Sequence, residues 1–285
     1  MCARTLIGMI LDPSRHAFRV TPADELGLLI DADDYYREFY RAACRAEHTI
    51  LLSGWQFDSD VALLRGPEAA QAGGPVTLLK FLNHLCEQKP GLKIWILAWD
   101  FSLVFAAERE WMQRVVFEWS SHENLNFRFD DNHVERGCHH QKFVVIDTEL
   151  AFLGGLDLCD DRWDTREHNA HNDLRISRDA PHKPFHDIQL YLRGQHVAAA
   201  LTDLFLARWV RAGGEPIALP PLDAPAPRVG VDGMLPLPAA EVALSRTDPY
   251  GTPGGPKLCT EILALHEAAI AQAERLIYLE TQYFS

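Results

Sequence analysis

The stretch His139-His140-Gln141-Lys142-Phe143-Val144-Val145-Ile146-Asp147, with Gly154-Gly155-Leu156-Asp157 shortly after it, decides how this 285-residue chain is read. Its centre, residues 143–146, is apolar and β-branched, which predicts a buried strand. Side chains alternate across a strand, so His140 and Lys142, two residues apart, are expected on one face. An imidazole then stands beside a fixed ammonium. That pair suits attack on an anionic phosphate ester, where charge builds on oxygen as phosphorus is attacked. Asp147 closes the strand and is placed to order the site.

Outward from this run, segments alternate in an α/β manner. Tyr36, Phe39, Tyr40 and Ala43 recur at helical spacing within residues 34–47, and 49–57 then reads as a strand. A helix over 78–88 is broken by Pro90-Gly91, and 92–99 suits a strand covered on both faces. The pattern continues with a helix over 105–119 and strands over 126–129 and 187–192. A helix over 197–211 ends near Gly213-Gly214. Such alternation predicts an α/β fold whose mixed sheet has helices on both faces.

Residues 215–238 hold seven prolines and read as a connector. A strand over 241–245, a helix over 260–274 and a strand over 275–284 are expected after it. That last pair repeats the first. Ala42, Ala46, Glu47, Ile50, Leu52 and Phe57 match Ala269, Ala273, Glu274, Ile277, Leu279 and Phe284 at one constant offset of 227. The expected organisation is a first unit over 1–214, a connector over 215–240 and the start of a second, truncated repeat over 241–285. No second H-x-K occurs in the sequence.

Composition excludes some partners. No apolar run approaches the roughly 18 residues of a membrane span. The start, residues 1–11, carries no evident secretory cleavage site. The six cysteines (2, 44, 86, 138, 159 and 259) show no paired spacing, so reduced thiols and a cytoplasmic setting are expected, with peripheral membrane contact left open. A net charge of −13 gives no global basic field, which tilts the substrate away from nucleic acid.

Seven segments taken together carry a resemblance. They are Trp55-Gln56-Phe57-Asp58, Leu97-Ala98-Trp99-Asp100, the 139–147 run, residues 151–158, Arg162-Trp163-Asp164, Phe185-His186-Asp187 and Glu280-Thr281-Gln282-Tyr283-Phe284. In this order the chain resembles the phospholipase D superfamily over roughly residues 31–285, most closely its lipid-acting branch. The resemblance implies an α/β/α sandwich and a mechanism with two such motifs facing one phosphodiester. One histidine attacks phosphorus; the other protonates the leaving alcohol, then activates water or an acceptor alcohol.

Carried onto this chain, His140 is the nucleophile or acid/base, Lys142 holds the phosphoryl oxygens and Asp147 helps order the site. Gly155 and Asp157 lie on the substrate side, and Asp187 matches a carboxylate that hydrogen-bonds a catalytic imidazole; His186 reads as structural. The family chemistry needs no metal or cofactor. Its substrate would be a phospholipid or another phosphodiester, with the second motif supplied by a missing C-terminal half or by a second copy of the chain. Truncation is favoured, because a repeat has already begun at residue 260. Thr281 stands where the family has Asn, which weakens any polar role there.

Two other functions stay open. A chain with one motif can bind phosphate esters or a partner without turnover. A metal-dependent phosphoesterase could instead draw ligands from Asp131, His133, His139 and His140, or from Asp164, His168, His171 and Asp173.

Overall fold

The computed structural model describes residues 11–100, 116–117, 120–135, 137–220, 233–238, 241–250 and 258–281; most of the helix expected over 105–119 lies outside them. The chain divides into two compact units, one of Met1–Pro22 with Ala239–Ser285 and the other of Ala23–Pro238.

In chain order, helix α1 (Pro13–His16) and strand β1 (Arg19–Pro22) precede β2 (Glu25–Ile30) and helix α2 (Asp31–Ala43). Next come β3 (Thr49–Gly54), helices α3 (Gly66–Gln71) and α4 (Leu78–Gln88), and strands β4 (Lys93–Trp99) and β5 (Leu125–Asp130). A hairpin of β6 (Lys142–Ile146) and β7 (Leu150–Gly154) follows, then the small ribbon β8 (Ile176–Ser177) and β9 (Ala180–Pro181). After these lie β10 (Ile188–Arg193), helix α5 (Gln195–Arg211) and β11 (Leu235–Pro236). The last described elements are β12 (Glu241–Leu244), β13 (Thr247–Asp248), β14 (Cys259–Thr260) and helix α6 (Glu261–Gln272).

The larger unit is built on an eight-stranded mixed sheet in the order β11-β2-β10-β7-β6-β3-β4-β5. β3, β4 and β5 run parallel, while the pairings from β3 through β6, β7, β10 and β2 to β11 are antiparallel. β6 lies near the middle, and all five of its residues are buried. Its alternation explains how. Val144 and Ile146 join a core with Tyr35 and Phe39 of α2, Leu82 of α4 and Ile50 and Ile96 of the neighbouring strands. Phe143, pointing the other way, meets Phe205 of α5 edge-on at 6.5 Å. Helices therefore cover both faces, and the fold is the expected α/β arrangement.

The proline-rich stretch ends in this sheet. Leu235 and Pro236 pair with Leu28 and Gly27 at its edge, a position where a proline's missing N–H costs little. A Cβ on Gly27 would overlap the Met234 side chain, which packs against the bare glycine.

In the smaller unit, β1 pairs with β12 and β13 with β14. Residues 276–281, beyond α6, form no strand, and Leu276, Tyr278 and Leu279 are exposed. The strand expected over 275–284 is thus not formed among the described residues. A strand's N–H and C=O groups need a neighbouring edge, and no described edge pairs with these. No helix of the described residues is long and apolar enough to cross a membrane.

Candidate active site

The motif strand starts later than its sequence predicts. Lys142 is the first residue of β6 and pairs with Gly154, the last of β7. On the other side, the pairing with β3 ends at Phe143 and Ser53. With both ladders finished, residues 137–141 leave the sheet. His140 therefore sits on the approach loop, exposed, and not on a shared strand face with Lys142.

A buried charge network holds that loop. Arg208 of α5, only 1% exposed, donates to Asp130 Oδ2 at 2.9 Å, to Ser53 Oγ at 2.8 Å and to Gln141 Oε1 at 3.0 Å. His139 Nε2 lies 3.2 Å from the same Asp130 oxygen. Burial alone would raise the Asp130 pKa, but its hydrogen bond to His139 and the Arg208 charge outweigh burial and hold it below the usual carboxylate value. Ahead of the loop, Trp55 and Trp99 pack at 5.7 Å, and His133 meets Trp99 edge-on at 5.7 Å.

Lys142 and Asp157 form the electrostatic centre. Both are buried, and Nζ lies 2.7 Å from Asp157 Oδ2. The ammonium nitrogen is itself buried, and this carboxylate is its charge partner. Asp157 Oδ1 accepts the Trp55 N–H at 2.8 Å, and its carbonyl accepts the hydroxyl of fully buried Tyr36 at 2.7 Å. His140 feels both charges. Desolvation lowers its pKa first and the Lys142 ammonium adds to that, while Asp157 pulls the other way. The net is a lowered pKa, which favours the neutral imidazole.

The double glycine admits Asp187. A Cβ on Gly155 would overlap both carboxylate oxygens of Asp187, and one on Gly154 would overlap Gln189 Oε1 and the carbonyl of Ile188. Gly155 thus lets a carboxylate lie against the start of the motif's tail. Desolvation raises the Asp187 pKa; the Ile188 N–H, Lys142 and His186 oppose it, and Asp31 adds to the rise. Lys142 is within electrostatic reach of Asp187. Among the described residues no imidazole bonds its carboxylate, which accepts the Ile188 N–H at 2.7 Å.

Asp147 is not brought to this place. It lies beyond the far end of β6, where its carboxylate accepts the N–H groups of Glu47, His48 and Thr49 at 2.8, 2.9 and 2.7 Å. The expectation that it orders the site is replaced by a structural role: it ties the start of β3 to the end of β6. A five-residue strand separates it from Lys142, about 16 Å at strand rise.

Neither predicted metal cluster is gathered as a set of ligand atoms among the described residues. His133 and His139 contact each other as rings, with centroids 6.4 Å apart. Asp164 does meet His168, at 3.1 Å, but the described residues gather His168 with Asp31 and His186 in place of His171 and Asp173.

Three of these residues escaped sequence reading. Arg208 falls with Leu201 and Phe205 at i, i+4 and i+7 on an apolar stripe, and a charge at such a position was the available signal. Asp130 and Asp31 act through partners 78 and 155 residues away, which no local pattern reports.

The phospholipase D family model matches residues 42–226. Phospholipase D alpha 2 of Arabidopsis thaliana is 29% identical over 230 residues, 64% of this chain and 28% of that protein. Phospholipase D alpha 1 of Oryza sativa subsp. japonica is 28% identical over 231 residues, 65% and 28% respectively. The chain thus spans under a third of the length of these relatives. Among solved structures, a phosphatidylserine synthase from Haemophilus influenzae Rd KW20 aligns with a TM-score of 0.45 and 11% identity over 70% of this chain and 39% of that one. NucT from Helicobacter pylori aligns with a TM-score of 0.42 and 10% identity over 68% and 98%. With the family model matching residues 42–226, well over half of this chain, the chain belongs to the phospholipase D family.

Proposed function

We propose that this chain supplies one half of a phosphodiester-transfer site that acts on phospholipids through a covalent phosphohistidine. The observation that carries the proposal is the buried Lys142–Asp157 pair beside an imidazole of lowered pKa. A nitrogen of His140 attacks phosphorus, forming a P–N bond while the P–O bond to the leaving alcohol breaks. An imidazole from a second motif gives that alcohol its proton. The same imidazole then takes a proton from water or an acceptor alcohol, whose oxygen forms the new P–O bond as P–N breaks. Lys142 holds the phosphoryl oxygens where charge accumulates. Asp187, with no imidazole partner among the described residues, is the acceptor for the second motif's ring.

The second motif comes from a C-terminal continuation or from another copy of the chain. The offset-227 repeat favours the continuation. Family membership and the acidic net charge of −13 support lipid over nucleic acid. Incubation with phosphatidylcholine and phosphatidylglycerol vesicles and short DNA, with and without ethanol, tests substrate and acceptor together. Cleavage of lipid that His140→Ala reduces by several orders of magnitude supports the proposal. Cleavage of DNA alone, or lipid turnover unchanged in that variant, contradicts it.

A second reading rests on the presence of one H-x-K in the sequence: a phosphate-ester binding module without turnover. Saturable binding of glycerophosphate esters that Lys142→Met abolishes, with no product under any pairing of chains, supports that module.

A further inference from the structure

Beside the catalytic groups, Asp31, His168 and His186 each present one ligand atom, all within 4.8 Å of one another. Asp31 is fully buried and begins α2 at a positive φ of 65°. Its Oδ1 lies 2.7 Å from His186 Nδ1 and its Oδ2 3.2 Å from His168 Nε2. The second contact lacks hydrogen-bond geometry, so Oδ2 is a buried carboxylate oxygen with no hydrogen-bond donor. A charged oxygen in that position is costly unless a cation meets it.

The environment of His168 points the same way. Its Nδ1 faces Asp164 Oδ2 at 3.1 Å while its Nε2 faces Asp31. A neutral imidazole has one N–H, so it cannot donate to both carboxylates. With the proton on Nδ1 held by Asp164, Nε2 presents a lone pair. That is the carboxylate–histidine–metal relay of known metal sites. Asp164 is itself fixed by Arg175 at 2.9 Å and by the N–H groups of Thr165 and Phe185 at 2.9 and 3.0 Å. Both histidines are partly exposed, which leaves an entry path for an ion.

We infer that Asp31, His168 and His186 form a binding site for one divalent transition-metal ion, zinc foremost, with Asp164 as the outer carboxylate. Two imidazole nitrogens and one oxygen suit zinc, manganese or cobalt; calcium and magnesium prefer all-oxygen sets. Solvent completes the coordination. The ion's role is positional. The Asp187 N–H bonds Asp31 Oδ1 at 3.1 Å, and the Asp31 N–H bonds the Asp187 carbonyl at 2.9 Å. An ion on Asp31 and His186 would clamp the segment that carries Asp187 toward Lys142. It does not touch the reacting phosphorus, and its binding requires no turnover.

The test is calorimetric titration of the chelator-treated chain with Zn²⁺, Mn²⁺, Ca²⁺ and Mg²⁺. The expected result is one Zn²⁺ per chain, with Ca²⁺ and Mg²⁺ at least a hundredfold weaker. His168→Ala and His186→Ala should each weaken Zn²⁺ at least tenfold, and Asp164→Asn by about 10–100-fold. No saturable Zn²⁺ binding, or equal binding by the His168→Ala/His186→Ala double variant, overturns the inference. Co²⁺ absorption of the unaltered chain covers the case of variants that fail to fold. Saturable visible d–d bands without a thiolate charge-transfer band support the site; their absence, or a strong thiolate band, overturns it.

Discussion

Lys142 is a residue whose burial is costly for stability and on which the proposed function depends. Its ammonium and the Asp157 carboxylate are both removed from water, and each depends on the other. Breaking such a pair on one side costs about 3–5 kcal/mol, whereas replacing both partners by apolar groups of similar volume is often neutral or stabilising. Lys142→Ala should therefore lower unfolding stability by about that amount in urea titrations. Lys142→Met with Asp157→Leu should recover most of the loss and still show no turnover. Recovery of activity with stability would mean that the pair serves packing alone.

His140 carries a second prediction at this scale. Its pKa is lowered by desolvation and Lys142, so an NMR titration of its ring should give a midpoint below the ordinary value of about 6.5. The protonated ring cannot attack phosphorus, so kcat/KM should fall as pH drops through that lowered midpoint and stay level just above it. A midpoint at or above 6.5 would show that desolvation and Lys142 together do not outweigh Asp157.

At the scale of elements, strands position chemistry by where they stop. β6 was legible because four consecutive apolar or β-branched residues, 143–146, can only be buried in a central strand. Its start was not legible. Whether His140 is on the strand depends on where β3 and β7 cease to pair, and those pairings span 90 and 12 residues. Long-range pairing also hid β2, whose Gly27 lowers strand propensity and packs against the Met234 side chain.

Asp147 shows the limit of motif reading most clearly. Spacing along one strand attached it to His140, and the three backbone N–H groups it accepts belong to β3 and the turn before it. Asp147→Ala should cost about 1–3 kcal/mol of stability, because it leaves donors at a strand start without their acceptor. At a temperature where the variant is fully folded, kcat should stay within about threefold of wild type, since about 16 Å of strand separates Asp147 from Lys142. A hundredfold fall in kcat of the folded variant would restore a catalytic role. Gly155→Ala should do the reverse. Its Cβ displaces the Asp187 carboxylate, so activity should drop at least tenfold with a smaller change in melting temperature; unchanged kinetics would detach Asp187 from the site.

Across the whole molecule, the sheet of the larger unit brings residues 31, 142, 157 and 187 to one neighbourhood although up to 156 positions separate them. Alternating helices and strands made that architecture readable from the sequence, and the motif's residue types made the family readable. The ordering contacts from Arg208, Asp130 and Asp31 were not, since each joins residues far apart in sequence. The repeat at offset 227 pairs Ile50 and Leu52, fully buried in β3, with Ile277 and Leu279, both exposed. That contrast fits the proposal that a second sheet, from a continuation or another copy, completes the enzyme.

The central claim is that His140 becomes covalently phosphorylated during turnover of a phospholipid. Quenching the protein with phospholipid in the steady state, at alkaline pH to preserve a P–N bond, and mapping peptides by mass spectrometry tests it directly. The account predicts a phosphatidyl adduct on the peptide containing His140, absent from His140→Ala and accumulating in Asp187→Asn. Sustained lipid turnover with no adduct on that peptide, or an adduct whose appearance does not depend on His140, would contradict it.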